Sequence, residues 1–129
     1  MKVIIAGSRT IKDAKLVEAA IKESGFTITE VVSGKAKGVD TLGELWAKKH
    51  GVAVKGFIAH WKDLDVPGAV VYTGDYGLYN KNAGFDRNQK MADYADALIA
   101  ITNGSSGTAD MIERARAAGL EVYVKELKC

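Results

Sequence analysis

Apolar positions along the chain alternate between two rhythms. Residues 1–6 form a short apolar run ended by Gly7-Ser8, which predicts a buried strand. Thr10-Ile11-Lys12-Asp13 has the form of a capping box, with Thr10 as N-cap and Asp13 three residues on. Ala14, Val17, Ala20 and Ile21 then recur at helical spacing, and Gly25 ends that helix. Residues 27–32 predict a second strand. Leu42, Leu45 and Trp46 mark one face of a second helix closed by Gly51, and residues 52–58 predict a third strand. Further on, residues 89–94 read as helical and 97–101 as a fourth strand, followed by a Gly/Ser cluster. Met111, Ile112 and Ala115 mark another helix, Gly119 ends it, and 120–124 predict a fifth strand.

Gly25, Gly51 and Gly119 each fall at a helix end just before a strand. Strand, helix, glycine, strand, repeated, is the pattern of right-handed crossovers in a parallel sheet. The expectation is an α/β fold: one domain over residues 1–129, an open parallel sheet of about five strands, and helices on both faces. Residues 60–86 break the rhythm. They hold the chain's single proline, four glycines, and Tyr72, Tyr76 and Tyr79. A connection this long is usually functional or mobile. Residues 70–72 and 73–75 suit a small hairpin. The stretch reads either as a surface excursion or oligomer contact, or as a lid with aromatic rings over a base.

A length of 129 residues with 47% hydrophobic and 26% charged composition fits one domain with a real core. The single cysteine, Cys129, makes no internal disulfide, which fits a reducing, cytoplasmic setting. The apolar start is too short for a signal peptide, and no run approaches a membrane span. A net charge of +2 is too small to argue for nucleic acid. Its distribution is uneven: residues 1–62 hold 11 Lys and Arg against 6 Asp and Glu, and residues 63–129 hold 7 against 10. That asymmetry favours a local anionic ligand over a long basic footprint. His50 and His60 are too far apart to suggest a metal, and no cofactor is expected. Trp46 reads as core. Trp61 reads as packing against the long connection or as stacking on a base.

Three of the strands end in Gly/Ser turns: Gly7-Ser8-Arg9-Thr10, Ser33-Gly34-Lys35-Ala36-Lys37-Gly38, and Asn103-Gly104-Ser105-Ser106-Gly107-Thr108. Ligands of open parallel sheets bind outside the carboxyl ends of the strands, so a parallel sheet places all three on one rim. Glycine lets backbone approach a ligand closely, and each following helix aims its free N–H groups there. Ser8, Ser33, Ser105, Ser106 and Thr108 add hydroxyls, and Arg9 and Arg87 add bidentate charge. The expected ligand is a phosphate, pyrophosphate or ribose phosphate.

The stretches MKVIIAGSR, VVSGKAKGVDTLGELWA, RNQKMADYADALIAI and NGSSGTADMIERA resemble the SLOG superfamily, and within it the YspA-like small Rossmann-type proteins. The superfamily also includes Lonely-guy-type phosphoribohydrolases, DprA proteins and sensor domains that bind NAD-derived nucleotides. The resemblance covers residues 1–59 and 84–124. It implies a Rossmann-like fold and a nucleotide or nucleotide-sugar ligand held by Gly7, Ser8, Arg9, Ser33, Gly34, Gly38, Asp40, Arg87, Asn88, Gly104, Ser106, Gly107 and Thr108. Asp40 reads equally as a helix-start carboxylate or as a ribose contact. The chain departs from the family in two places. Phosphoribohydrolases carry a catalytic Glu in Pro-Gly-Gly-x-Gly-Thr-x-x-Glu, and Met111 stands at that position here. Methionine serves as neither acid nor base. The link at residues 62–83 is also longer and richer in Tyr.

These features point to a binder without turnover, which senses or sequesters an adenine-nucleotide or ADP-ribose-like ligand; a phage-type sponge for an immune signal is one such role. The alternative is a nucleoside-phosphate or nucleotide-sugar hydrolase using Asp110 or Glu113 with Arg87. Single-stranded DNA binding is a third class, disfavoured by the charge. The superfamily resemblance implies a homo-oligomer.

Overall fold

The computed structural model describes residues 1–57, 71–74, 77–80 and 83–127. In chain order the elements are β1 (Lys2–Gly7), α1 (Ala14–Ser24), β2 (Glu30–Ser33), α2 (Val39–Lys49), β3 (Ala53–Gly56), β4 (Val71–Gly74), β5 (Gly77–Asn80), α3 (Ala83–Tyr94), β6 (Ala97–Thr102), α4 (Ser106–Ala117) and β7 (Glu121–Glu126). Five strands make one sheet in the order β3-β2-β1-β6-β7, and every pairing in it is parallel. This is the expected Rossmann-like arrangement.

The apolar runs explain the order. Central strands of a parallel sheet are covered on both faces and therefore lose their alternation. All six residues of β6 are buried, as are Val3 to Ala6 of β1. The edge strand β3, with Val54 and Lys55, is largely exposed. Two apolar layers flank the sheet. One gathers Ile5, Val31 and Ile99 under Val17, Ala20 and Ile21 of α1 and Val39 and Ala47 of α2. The other gathers Ile4, Val32 and Leu98 under Met91 and Ala92 of α3 and Met111 and Ala115 of α4.

Several expected details change. Thr10 does not cap α1. The helix starts three residues later, where Asp13 is the N-cap and accepts from Lys15 N–H at 3.0 Å. A carboxylate directly before the helical run satisfies the free donors, so the capping box is not used. The buried face of α2 is Val39, Asp40, Gly43 and Ala47, while Leu45 is 57% exposed. Gly43 explains the rotation: a Cβ there would stand 2.9 Å from Ile5 Cβ, so the helix lies on β1 by its smallest residue. Leu42 and Trp46 pack at the margin of that layer. Trp46 stacks on His50 with ring centres 4.5 Å apart, and His50 Nδ1 hydrogen-bonds Trp46 O at 2.9 Å.

The hairpin also differs. β4 and β5 pair antiparallel, with Val71 opposite Asn80 and Gly74 opposite Gly77, so Thr73 and Gly74 belong to its first strand. α3 begins at Ala83, six residues before the apolar periodicity does, and α4 begins at Ser106 within the Gly/Ser cluster. Arg87, Asn88, Ser106, Gly107 and Thr108 are therefore helical residues. His60, Trp61 and Cys129 lie outside the described residues. Among those described, no helix is long and apolar enough to cross a membrane.

Candidate functional site

The turns after β1, β2 and β6 open into one cleft of about 660 Å³ on the carboxyl-end rim of the sheet. The chain runs outward from β1 to β2 and β3, then returns to the opposite side of β1 with β6. A rim crevice at such a reversal is where open α/β sheets bind ligands.

Close packing forces the first turn's composition. A Cβ on Gly7 would meet Ile101 O at 2.1 Å and Val39 Cγ2 at 2.7 Å. Ser8, which follows, is buried and accepts from Asn103 N–H at 3.1 Å, so its hydroxyl ties the β1 turn to the β6 turn.

The β2 turn is shaped by α2. Gly38 has φ +76° and is the N-cap of α2, and a Cβ there would meet Ser8 O at 2.5 Å. Asp40 Oδ2 accepts from Ala36 N–H at 3.4 Å, which folds the turn back over the helix start. Glu44, one helical turn on, accepts from Ser33 Oγ at 2.7 Å and pairs with Lys35 Nζ at 2.6 Å. Lys35 adopts φ +60°, an unfavourable region for a side-chain-bearing residue, and its N–H donates to Ser33 Oγ at 3.1 Å. Asp40 and Glu44 together hold the loop that Ser33-Gly34 begins.

α3 contributes Arg87, whose guanidinium crosses to this loop. Nη1 donates to Gly34 O at 2.9 Å. Nε is buried and, among the described residues, has no hydrogen-bond partner. A buried donor of this kind costs free energy unless something accepts from it. Burial pushes the Arg87 guanidinium below its ordinary pKa, with Asp40 acting to raise it and Arg9 to lower it. Burial likewise pushes Asp40 up to about 6, against the opposing pull of Arg87 and of the Ala36 and Gly34 N–H groups.

The third wall is the start of α4. Its N-cap Ser105 makes no capping bond, because its hydroxyl donates to Thr108 Oγ1 at 2.6 Å instead. The first-turn N–H groups have no partner within the helix and face the cleft at its positive end. Gly104, at φ +103°, turns the chain into that position, and its N–H donates to Thr102 Oγ1 at 3.0 Å.

Gly7, Arg9, Gly34, Lys37, Asp40, Arg87, Asn88, Ser105, Ser106, Gly107 and Thr108 all line the cleft. Ser8, Ser33, Gly38 and Gly104 do not; they shape the turns behind it. Asn88 is buried, and its Nδ2 donates to Asp110 Oδ2 at 3.0 Å and Gly107 O at 3.3 Å. The structure does not bring Asp110 and Glu113 to the cleft. Asp110 is paired with Arg114 Nε at 2.8 Å, and Glu113 is exposed. Met111 lines the cleft with its side chain buried in the core. Sequence reasoning missed Glu44 as the loop's brace. Its spacing of four from Asp40 was the available signal, since that puts both on one helix face. Phe85 and Met91, which also line the cleft, were missed as well.

Comparison with known proteins agrees with the fold. Residues 1–63 match the model of the YspA, cpYpsA-related SLOG family. The X-ray structure of DNA processing protein A (DprA) from Streptococcus pneumoniae superposes with a TM-score of 0.70 at 28% identity, over 95% of this chain and 49% of that chain. The present chain thus spans about half the length of that protein. No curated protein matches it. The SLOG resemblance carried by the motifs therefore holds, and with it the Rossmann-like fold.

Proposed function

We propose that this chain binds a phosphate-bearing nucleotide, of the adenine-nucleotide or ADP-ribose type, and holds it without turnover. The observation that carries this reading is that the start of α4, with no side-chain cap, opens on the cleft that Arg9, Lys37 and Arg87 also line. Backbone N–H groups at helix N-termini and a guanidinium fork are the donors that phosphate oxygens accept from. The match to the SLOG family model over residues 1–63 supports a nucleotide-related ligand. The absence of turnover rests on Met111, which stands where the phosphoribohydrolases carry their carboxylate, and on the engagement of Asp110 with Arg114 and Asn88. Such a protein acts as a sensor or as a sequestering agent.

One observation favours the hydrolase alternative in a different form. Asp40 is the carboxylate among the described residues that line the cleft, and its pKa of about 6 suits proton transfer near neutrality. A DNA-binding role, suggested by the name of the structural neighbour, finds less support in a net charge of +2.

The test mixes stoichiometric protein with AMP, other nucleoside monophosphates, NAD, ADP-ribose and its cyclised isomers. Bound and free fractions are separated by ultrafiltration, and the retained species is identified by chromatography after denaturation. A ligand retained unchanged supports the binder. Free base in the filtrate, abolished by Asp40→Asn, establishes the hydrolase. No affinity below the millimolar range for any phosphate compound removes the reading.

A further inference from the structure

We propose that the cleft contains a second subsite, for a planar aromatic base, whose platform is Phe85; the proposal rests on the phosphate reading above and specifies what else the ligand carries. The walls of the cleft differ in chemistry. Arg9, Lys37 and Asp40 from the turns, Arg87 and Asn88 from α3 and the first turn of α4 bring charge and polar groups, whereas Phe85, Met91 and Met111 bring apolar surface. A phosphate or ribose phosphate uses only the polar groups. A ligand that joins a phosphate to a flat apolar ring uses both. The volume agrees: about 660 Å³ is in the range of sites that enclose whole small molecules and is far more than a phosphate fills.

Phe85 is placed and held for this role. It lies in the first turn of α3 and is 37% exposed. Single exposed aromatics are common and mean nothing alone. This one lines the cleft, and a fixed cation stands beside its ring. Arg114 Cζ is 5.8 Å from the ring centre. The guanidinium is anchored by Nε to Asp110 at 2.8 Å and by Nη1 to Gln89 at 3.0 Å. Asp110 also accepts from Asn88, so α3 and α4 are joined by a continuous set of bonds. The cation restricts the ring, and a ring already restricted loses little entropy when a base stacks on it. Met91 and Met111, buried in the core layer, close the apolar wall beneath Phe85's helix. This also gives the Asp110–Arg114 pair a use: it positions the platform.

The test is calorimetric titration of the wild type, Phe85→Ala and Phe85→Trp with two probes, AMP and ribose 5-phosphate. The wild type is expected to bind AMP more tightly than ribose 5-phosphate. Phe85→Ala is expected to weaken AMP by about 10-fold or more, the scale of one base–aromatic stack, and to leave ribose 5-phosphate within about 2-fold. Phe85→Trp is expected to retain AMP binding. Equal losses for both probes in Phe85→Ala overturn the proposal, because the residue then shapes the whole cleft. Unchanged AMP binding in Phe85→Ala overturns it too. A wild type that binds neither probe removes the phosphate reading and this inference with it, and that result is read on the unmodified protein, apart from the other two.

Discussion

Arg87 and Gly34 are in contact across the cleft: Nη1 donates to Gly34 O at 2.9 Å, and a Cβ on Gly34 would lie 3.2 Å from both Cζ and Nε of the guanidinium. The same Cβ would be 2.8 Å from Asp40 Oδ2. The glycine is thus required by a charged pair packed against its Cα, and the contact joins α3 to the turn after β2. Gly34→Ala must displace Arg87, Asp40 or the turn. The expected result is a loss of roughly 1–3 kcal/mol of stability, as for overpacking, together with at least about 10-fold weaker phosphate binding. Thermal denaturation and titration with ADP-ribose check the two effects.

Asp40 makes stability depend on pH. Its folded pKa of about 6 lies above the ordinary 3.8, because burial disfavours the charged form. The native state therefore holds the proton more tightly than the unfolded chain does. The contribution is fully present below about pH 4, fades as pH rises to about 6, and is absent above that. Asp40→Asn stays neutral throughout and is expected to flatten this part of the stability profile. The difference between variant and wild type should grow in the variant's favour by on the order of 2–3 kcal/mol between pH 4 and pH 7. Denaturant midpoints at a series of pH values measure it.

Met111 belongs to the core and to the cleft at once. It is 1% exposed, packed in the layer with Met91, Leu98 and Ala115. Met111→Ala is expected to cost about 2–5 kcal/mol through the cavity it leaves. Chemical denaturation checks this, and a change below about 1 kcal/mol would show that the site collapses or that Met111 is not buried.

Asp110 and Glu113 separate the binder from a hydrolase built on their carboxylates. Glu113→Gln changes an exposed side chain and is expected to alter neither folding nor ribose 5-phosphate binding. Asp110→Asn weakens the half-buried pair with Arg114 at 2.8 Å, with an expected cost of no more than about 1 kcal/mol. Loss of a measurable base-release activity in either variant would return the chemistry to these residues.

The sheet was legible because its signals are local. Apolar runs such as residues 97–101 and glycines at helix ends such as Gly25 report burial and backbone conformation directly. The clustering of the three turns on one rim follows from topology, so most cleft-lining residues could be named in advance. What was not legible depends on contacts between distant residues. The exposure of Leu45 follows from Gly43 resting on Ile5, which helical spacing does not encode. The starts of α3 and α4 lie in polar or glycine-bearing stretches with little apolar periodicity, so Arg87 and Ser106 were expected ahead of their helices. Phe85 escaped notice because its partner, Arg114, is 29 positions away and belongs to another helix.

In the binding reading, phosphate oxygens sit between the start of α4 and Arg87. A crystal structure of the chain with ADP-ribose tests it most directly. The expected result is a phosphate within hydrogen-bond distance of the N–H groups of Ser106, Gly107 and Thr108, with the Arg87 guanidinium donating to it. A ligand bound with its phosphates elsewhere on the surface, with this cleft holding none, would contradict it.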